Sequence, residues 1–152
     1  MSFTTPSGSY GTRQPRGPLL RFATRMSVNH ARRTGGKSMG MNVLVLGTVG
    51  RKTGQRHETP VAWFAGGNGS WIVVASANGA PKHPAWYLNM AAHPDQVTIE
   101  VEGRTVPVTA EELHGAERDA AWAQVIAAVP RFATYRQKTD RVLPVVRLVE
   151  RR

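Results

Sequence analysis

No cysteine occurs among the 152 residues. That absence excludes a disulfide framework, a thiolate nucleophile and every cysteine-based metal set, and it fits a cytoplasmic protein. Long apolar runs are missing too, and none approaches the roughly 18 residues that a membrane-spanning helix needs. Near the N-terminus Arg21 and Arg25 interrupt Leu19, Leu20, Phe22 and Met26, so the continuous apolar stretch of a secretory signal is lacking. No Gly-x-Gly-x-x-Gly follows an apolar run, which argues against a doubly wound dinucleotide fold. His57, His83 and His93 are not spaced like zinc ligands, and no metal is expected. Ser76 has no nucleophile-elbow context, so acyl-transfer chemistry has no support.

Acids are absent from residues 1–40, where seven Lys/Arg stand alone. The remainder carries 13 Lys/Arg against 10 Asp/Glu, so most of the net charge of +10 belongs to the N-terminal part. Without aromatic-and-basic interleaving or a helix-turn-helix pattern, that excess does not read as a nucleic-acid site. Residues 1–17, rich in Ser, Thr, Gly and Pro, are expected to be a disordered tail. Residues 18–40 are expected to hold a basic helix with Leu19, Phe22, Ala23 and Met26 on one face, ending in a Gly-rich joint. Such a helix suits either packing on its own domain or a peripheral contact with the inner face of the cell membrane.

Residues 41–152 read as one domain. Apolar β-rich runs at Asn42–Val49, Thr59–Phe64, Ser70–Ala75, Val97–Val101, Arg104–Thr109 and Val142–Val149 are separated by compact turns such as Gly66–Gly69 and Glu102-Gly103. Helices are expected over Pro84–Ala92 and Gly115–Val129. Glu111, Glu112, Glu117 and Asp119 read as acids at the entry of the longer helix. Antiparallel strands joined by short turns, with helices inserted late, imply an α+β, mainly β, barrel-like sheet.

Two segments carry the candidate chemistry. Gly50-Arg51-Lys52-Thr53-Gly54-Gln55 is a basic loop bounded by glycines, able to offer backbone N–H groups and two cations to an anion. Ala75 to Asn89 mixes small, polar and cationic residues, then starts a helix at Pro84 bearing Trp86 and Tyr87. A phosphate end and a flat aromatic end together suit a dinucleotide-like or flavin-like cofactor.

Leu46-Gly47-Thr48-Val49-Gly50-Arg51-Lys52-Thr53-Gly54-Gln55, Pro84-Ala85-Trp86-Tyr87-Leu88-Asn89 and Thr139-Asp140-Arg141 with Pro144-Val145-Val146 resemble the deazaflavin-dependent nitroreductase and quinone reductase family, in register from about Asn42 to Val149. The resemblance implies a split β-barrel of the FMN-binding type with an N-terminal helix. It also implies an enzyme that binds coenzyme F420 and uses the reduced form, F420H2, to reduce a quinone, nitroaromatic or activated alkene. By the same resemblance Arg51, Lys52 and Thr53 hold the phosphate and acidic tail, and His57 is a further cofactor-binding residue. Thr59, Pro60, Val61, Ala62, Val74, Ala75, Ser76 and Ala77 line the ring, and Ala85, Trp86, Tyr87, Leu88 and Asn89 close over the ribityl region. The partners implied are a small hydrophobic acceptor and, for assembly, a homodimer.

This chain departs from its best-known relatives at several of these positions. His57 stands where they have Arg, with Arg56 one place earlier, and Ala77 replaces a cation. Their substrate-facing tyrosines match Val129, Phe132 and Tyr135, which leaves Tyr135 and Ser76 as the hydroxyls able to serve the acceptor as proton donors. Competing readings are an FMN-dependent enzyme and a non-catalytic carrier of deazaflavin, haem or lipid on the same fold.

Overall fold

The computed structural model describes residues 3, 5–8, 26, 28–29, 37–38, 41–76, 83–138 and 142–151, the side chains of 37–38 and 135–138 excepted. In chain order these form β1 (Lys37–Ser38), β2 (Met41–Val49), β3 (Arg56–Ala62), β4 (Phe64–Ala65), β5 (Trp71–Val74) and α1 (Ala85–Ala92). Then follow β6 (Val97–Val101), β7 (Arg104–Glu112), α2 (Gly115–Ala128), α3 (Arg131–Lys138) and β8 (Val145–Glu150). Neighbouring strands run in the order β1-β2-β6-β7-β8-β5-β4, with β3 added to β2, and every pairing is antiparallel. The sheet curls until β3 approaches β5. This is the expected split barrel.

Strand periodicity sorts the side chains into two cores. Register places Leu46 beside Ile99, Ile99 beside Val106, Ala110 beside Leu148 and Val73 beside Val146. With Trp71, Val97 and Val108 they fill the barrel interior, and Trp86, Tyr87 and Met90 of α1 belong to the same cluster. The alternate residues Ile72, Val74 and Val145 face outward and are covered by Leu113, Trp122, Val125 and Phe132. A strand with both faces buried shows no alternation, which is why β5 and the start of β8 read as unbroken apolar runs.

Several boundaries differ from the sequence expectation. The run Thr59–Phe64 is interrupted at Trp63, whose N–H donates to the Asn42 carbonyl at 3.0 Å. The final strand begins at Val145 because Leu143 and Pro144 are needed as packing and as an acceptor for Ala75 N–H. Strand β7 runs to Glu112, so Glu111 and Glu112 are strand residues and not helix-entry acids. The cause is pairing: Ala110, Glu111 and Glu112 continue the ladder opposite Leu148, Arg147 and Val146. Glu117 is in the first turn of α2 as expected, and it shares Arg147 with Glu111, each at 2.7 Å. Near the N-terminus Met26 is 57% exposed, whereas Val28 is buried against Val43 and Val45. The other residues expected on one face with Met26, Leu19, Phe22 and Ala23, lie outside the described residues.

Leu46→Ala and Leu148→Ala each delete a fully buried side chain and are expected to lower the unfolding free energy by about 2–5 kcal/mol. Val149→Ala, at 44% exposure, is expected to stay within about 0.5 kcal/mol. Urea midpoints of the three variants check the assignment of inside and outside.

Candidate active site

The loop between β2 and β3 is closed by its own backbone. Gly50 N–H donates to the Gln55 carbonyl at 2.7 Å, Gly54 N–H to the Gly50 carbonyl at 2.9 Å, and Gln55 N–H to Thr53 Oγ1 at 3.2 Å. Gly54 has φ of +71°, a conformation that an L side chain strains. Gly50 is needed for a different reason. A Cβ there would lie 2.6 Å from Thr53 Oγ1 and 3.0 Å from His57 Nε2. Arg51, Lys52, Thr53 and His57 are exposed, and the two cations form no ion pair among the described residues. A concave turn of this kind with unpaired positive charge fits a phosphate or carboxylate.

Helix α1 meets this loop directly. Arg51 N–H donates to Asn89 Oδ1 at 3.1 Å, and Asn89 Nδ2 reaches Thr48 Oγ1 at 3.5 Å. Both Asn89 and Thr48 are buried. Two segments 38 residues apart, each a candidate for a different end of one ligand, are therefore joined by a hydrogen bond.

Strand parity divides the other candidates. His57 pairs with Thr48, Thr59 with Leu46 and Val61 with Leu44, so these three share the interior-facing side of β3. Pro60 and Ala62 pair with Val45 and Val43 and take the opposite face, as does Arg56. The Arg56 guanidinium crosses Gly47 and bonds Thr98 Oγ1, which leaves His57 as the basic side chain beside the loop. On β5, Val74 packs outward and Ala75 inward, and Ser76 follows half-buried. Ala77 lies outside the described residues. In α1, Ala85 is exposed and Leu88 half-buried, whereas Trp86 and Tyr87 are core side chains. Phe132 is 6% exposed and meets Phe64 edge-on at 5.8 Å, with Val129 packed on the same outer core. Tyr135 stands one turn further along α3 by its backbone, and its side chain lies outside the described residues. Among the described residues no group of His, Asp or Glu is arranged to hold a metal.

One buried polar knot had no counterpart in the sequence reading. Glu112, 4% exposed, accepts from Tyr87 Oη at 2.8 Å and from Thr5 Oγ1 at 2.5 Å. His83 Nε2 lies 2.8 Å from the Thr5 carbonyl, and the rings of His83 and Phe3 flank Tyr87 at 4.5 and 5.5 Å. Burial first, and then the Glu112 hydrogen bond and charge, push the Tyr87 phenol well above its ordinary value, so it remains a donor throughout the neutral range. Period-2 alternation from Val106 through Val108 and Ala110 would have put Glu112 inside. Nothing in the composition of the tail signals Phe3 and Thr5.

A curled antiparallel barrel, plugged by a short helix and carrying a basic, glycine-bounded loop at the end of β2, is the architecture of the split-barrel class. The family model for F420H(2)-dependent quinone reductase matches residues 19–150. The F420H(2)-dependent quinone reductase of Mycobacterium tuberculosis is 36% identical over 112 residues, covering 71% of this chain and 73% of that protein. A solved F420-H2-dependent reductase has a TM-score of 0.63 at 37% identity, covering 70% of this chain and 92% of its own. A second solved structure, described as a domain-swapped dimer, has a TM-score of 0.64 at 32% identity, covering 87% and 99%. The chain belongs to the F420H2-dependent quinone reductase family. It is an F420H2-dependent reductase, and its cofactor is coenzyme F420.

Tyr87→Phe leaves the buried Glu112 short of a donor and is expected to cost about 1–3 kcal/mol of stability, with Thr5→Val costing less. Thermal unfolding of both variants against the parent tests whether the knot holds α1 or merely accompanies it.

Proposed function

We propose that the protein transfers a hydride from F420H2 to a small hydrophobic quinone. The observation that supports this most directly is the Arg51–Asn89 hydrogen bond, which joins the anion-binding loop to the helix beside the proposed ring pocket. The exposed Arg51 and Lys52 match a coenzyme bearing a phosphate and carboxylates, and the Gly50 turn supplies N–H donors near them. In this reading Thr59 and Val61 of β3, with Ala75 and Ser76 just beyond β5, would line the ring pocket, and β3 and β5 approach each other. Pro60 and Ala62 contribute through backbone atoms, because their side chains take the other face.

When bound, the reduced coenzyme supplies the hydride at its deazaflavin ring. This chain's residues supply orientation and exclude water. Once the hydride is delivered, forming the hydroquinone takes up one proton, and a hydroxyl near the acceptor favours that step. Ser76 and Tyr135 fill this role in our reading. Phe132, closed into the outer core against Phe64, offers the acceptor neither a hydroxyl nor an exposed ring. That weighs against the polar recognition a nitroaromatic would draw from a tyrosine at this position, and favours quinones over nitroaromatics. No helix of the described residues is long and apolar enough to cross a membrane. Peripheral membrane contact through residues 18–33 would suit a lipophilic quinone, and a homodimer would suit the relative seen as a domain-swapped dimer.

The test is a titration of the purified protein with F420, followed by its fluorescence, with FMN in parallel, then turnover against a quinone panel. Saturable binding of F420 and quinone-dependent oxidation of F420H2 are expected. Binding of FMN alone, or binding of F420 without turnover of any quinone, would overturn the reading in favour of a flavin enzyme or a carrier. Arg51→Ala and Lys52→Ala should each weaken F420 binding roughly 5- to 20-fold with a smaller change in saturated turnover, as the loss of one charge-assisted hydrogen bond implies. Tyr135→Phe should lower kcat with F420 affinity intact. A Tyr135→Phe variant as fast as the parent removes that residue from the mechanism.

A further inference from the structure

Asn89 carries the resemblance to a cofactor-contacting motif, yet its carboxamide is already engaged. Its oxygen accepts Arg51 N–H at 3.1 Å and its nitrogen reaches Thr48 Oγ1 at 3.5 Å; Asn89 and Thr48 are buried, and Arg51 is exposed. The consequence for the loop is specific. Of the six residues from Gly50 to Gln55, Gly50, Gly54 and Gln55 direct their N–H groups within the loop, and Arg51 gives its own to Asn89. The consecutive N–H groups of Lys52 and Thr53 have no partner among the described residues. Thr53 Oγ1 accepts from Gln55 N–H, so its hydroxyl proton is still available to donate.

We infer that Asn89 is a positioning residue. It acts on the bound phosphate through the Arg51 amide, fixing the loop so that the N–H groups of Lys52 and Thr53 and the Thr53 hydroxyl form one anion subsite. The inference rests on the F420 reading above and adds the residue that pre-organises its phosphate end. Without the tether, Arg51 N–H loses its acceptor and the turn loses its one side-chain anchor to the helix. Gly50 and Gly54 are then free to admit other conformations, and binding must order the loop anew. Preorganised backbone donors cost no such ordering. Thr48 completes the arrangement by holding the carboxamide with its oxygen toward Arg51. A reversed amide would present Nδ2 to another donor and break the tether.

The experiment pairs binding with an observation that needs no cofactor. Amide hydrogen exchange by NMR should show Arg51 N–H protected in the parent, exchanging at least tenfold faster in Asn89→Leu, and protected again in Asn89→Asp, which keeps an acceptor. F420 affinity, read by fluorescence titration, should fall about tenfold in Asn89→Leu. In that background Lys52→Ala should cost much less than it costs alone, because an unpositioned loop no longer presents the lysine to the anion. A residue with only a structural role would lower the melting temperature without producing this coupling. Thr48→Val, nearly isosteric, should reproduce the faster Arg51 exchange in part, and stands in if Asn89→Leu does not fold.

Additive losses for Asn89→Leu and Lys52→Ala, or unchanged Arg51 exchange, would overturn the positioning role while leaving the F420 reading intact. A parent protein with a protected Arg51 amide that binds no F420 would instead overturn that reading, and with it the subsite.

Discussion

Helix α1 has to satisfy polar atoms inside an apolar barrel, and the site depends on how it does so. Trp86, Tyr87 and Met90 hold the helix among Leu46, Ile99, Val108 and Leu148. That packing brings the Tyr87 hydroxyl and the Asn89 carboxamide into surroundings where an unpartnered polar group costs about 1–3 kcal/mol. Tyr87 finds Glu112 on β7, and Asn89 finds Thr48 and the Arg51 amide at the end of β2. Two strands on different sides of the interior therefore fix the helix by hydrogen bonds as well as by shape. The hydrophobic contacts set its depth, and the polar ones set its rotation. Only one rotation brings Asn89 to the loop, so the geometry of the anion end is inherited from core packing.

Glu112 is the most demanding member of this arrangement. A carboxylate 4% exposed is tolerated only with donors, and two of its hydrogen-bonding partners come from separate parts of the chain. Thr5 belongs to the N-terminal stretch, so the carboxylate recruits that stretch to the first turn of α1, where Phe3 also packs on Tyr87. Phe3 and Thr5 are thereby held by the Thr5 hydrogen bond to Glu112, the Phe3 ring contact with Tyr87 and the His83 contact to the Thr5 carbonyl.

This also shows which features were legible from sequence. Strands whose partners are all in the barrel follow from alternation and turn residues, and β6 matches residue for residue. The basic loop was legible as a turn because Gly50 and Gly54 bracket two adjacent cations. The Asn89 tether was not, since a buried Asn on a helix gives no periodic signal, and its partner is a backbone amide 38 residues away. Helix α3 was hidden because Arg131, Thr134, Arg136, Gln137 and Lys138 dilute an apolar face reduced to Phe132 and its neighbours. Glu112 was misread as a helix-entry acid because its neighbours Glu111 and Glu117 have that composition, while strand pairing decided its place. In each miss a tertiary partner overrode a local preference.

The two kinds of positive group at the loop do different work. Arg51 and Lys52 are exposed, so their charges act through water and are screened beyond about 8 Å at physiological ionic strength. In the function proposed above they would attract an acidic ligand and contribute little to its registration, because long exposed side chains adopt many rotamers. Backbone N–H groups are the reverse: weak at a distance, but fixed in direction by the turn. A ligand with one phosphate at a fixed distance from a flat ring needs registration more than attraction, and the turn is the element tied to α1. Side-chain charge at this rim therefore favours acidic ligands in general. On the same proposal, discrimination among them would fall to the turn and to the Asn89 hydrogen bond that holds it to the helix.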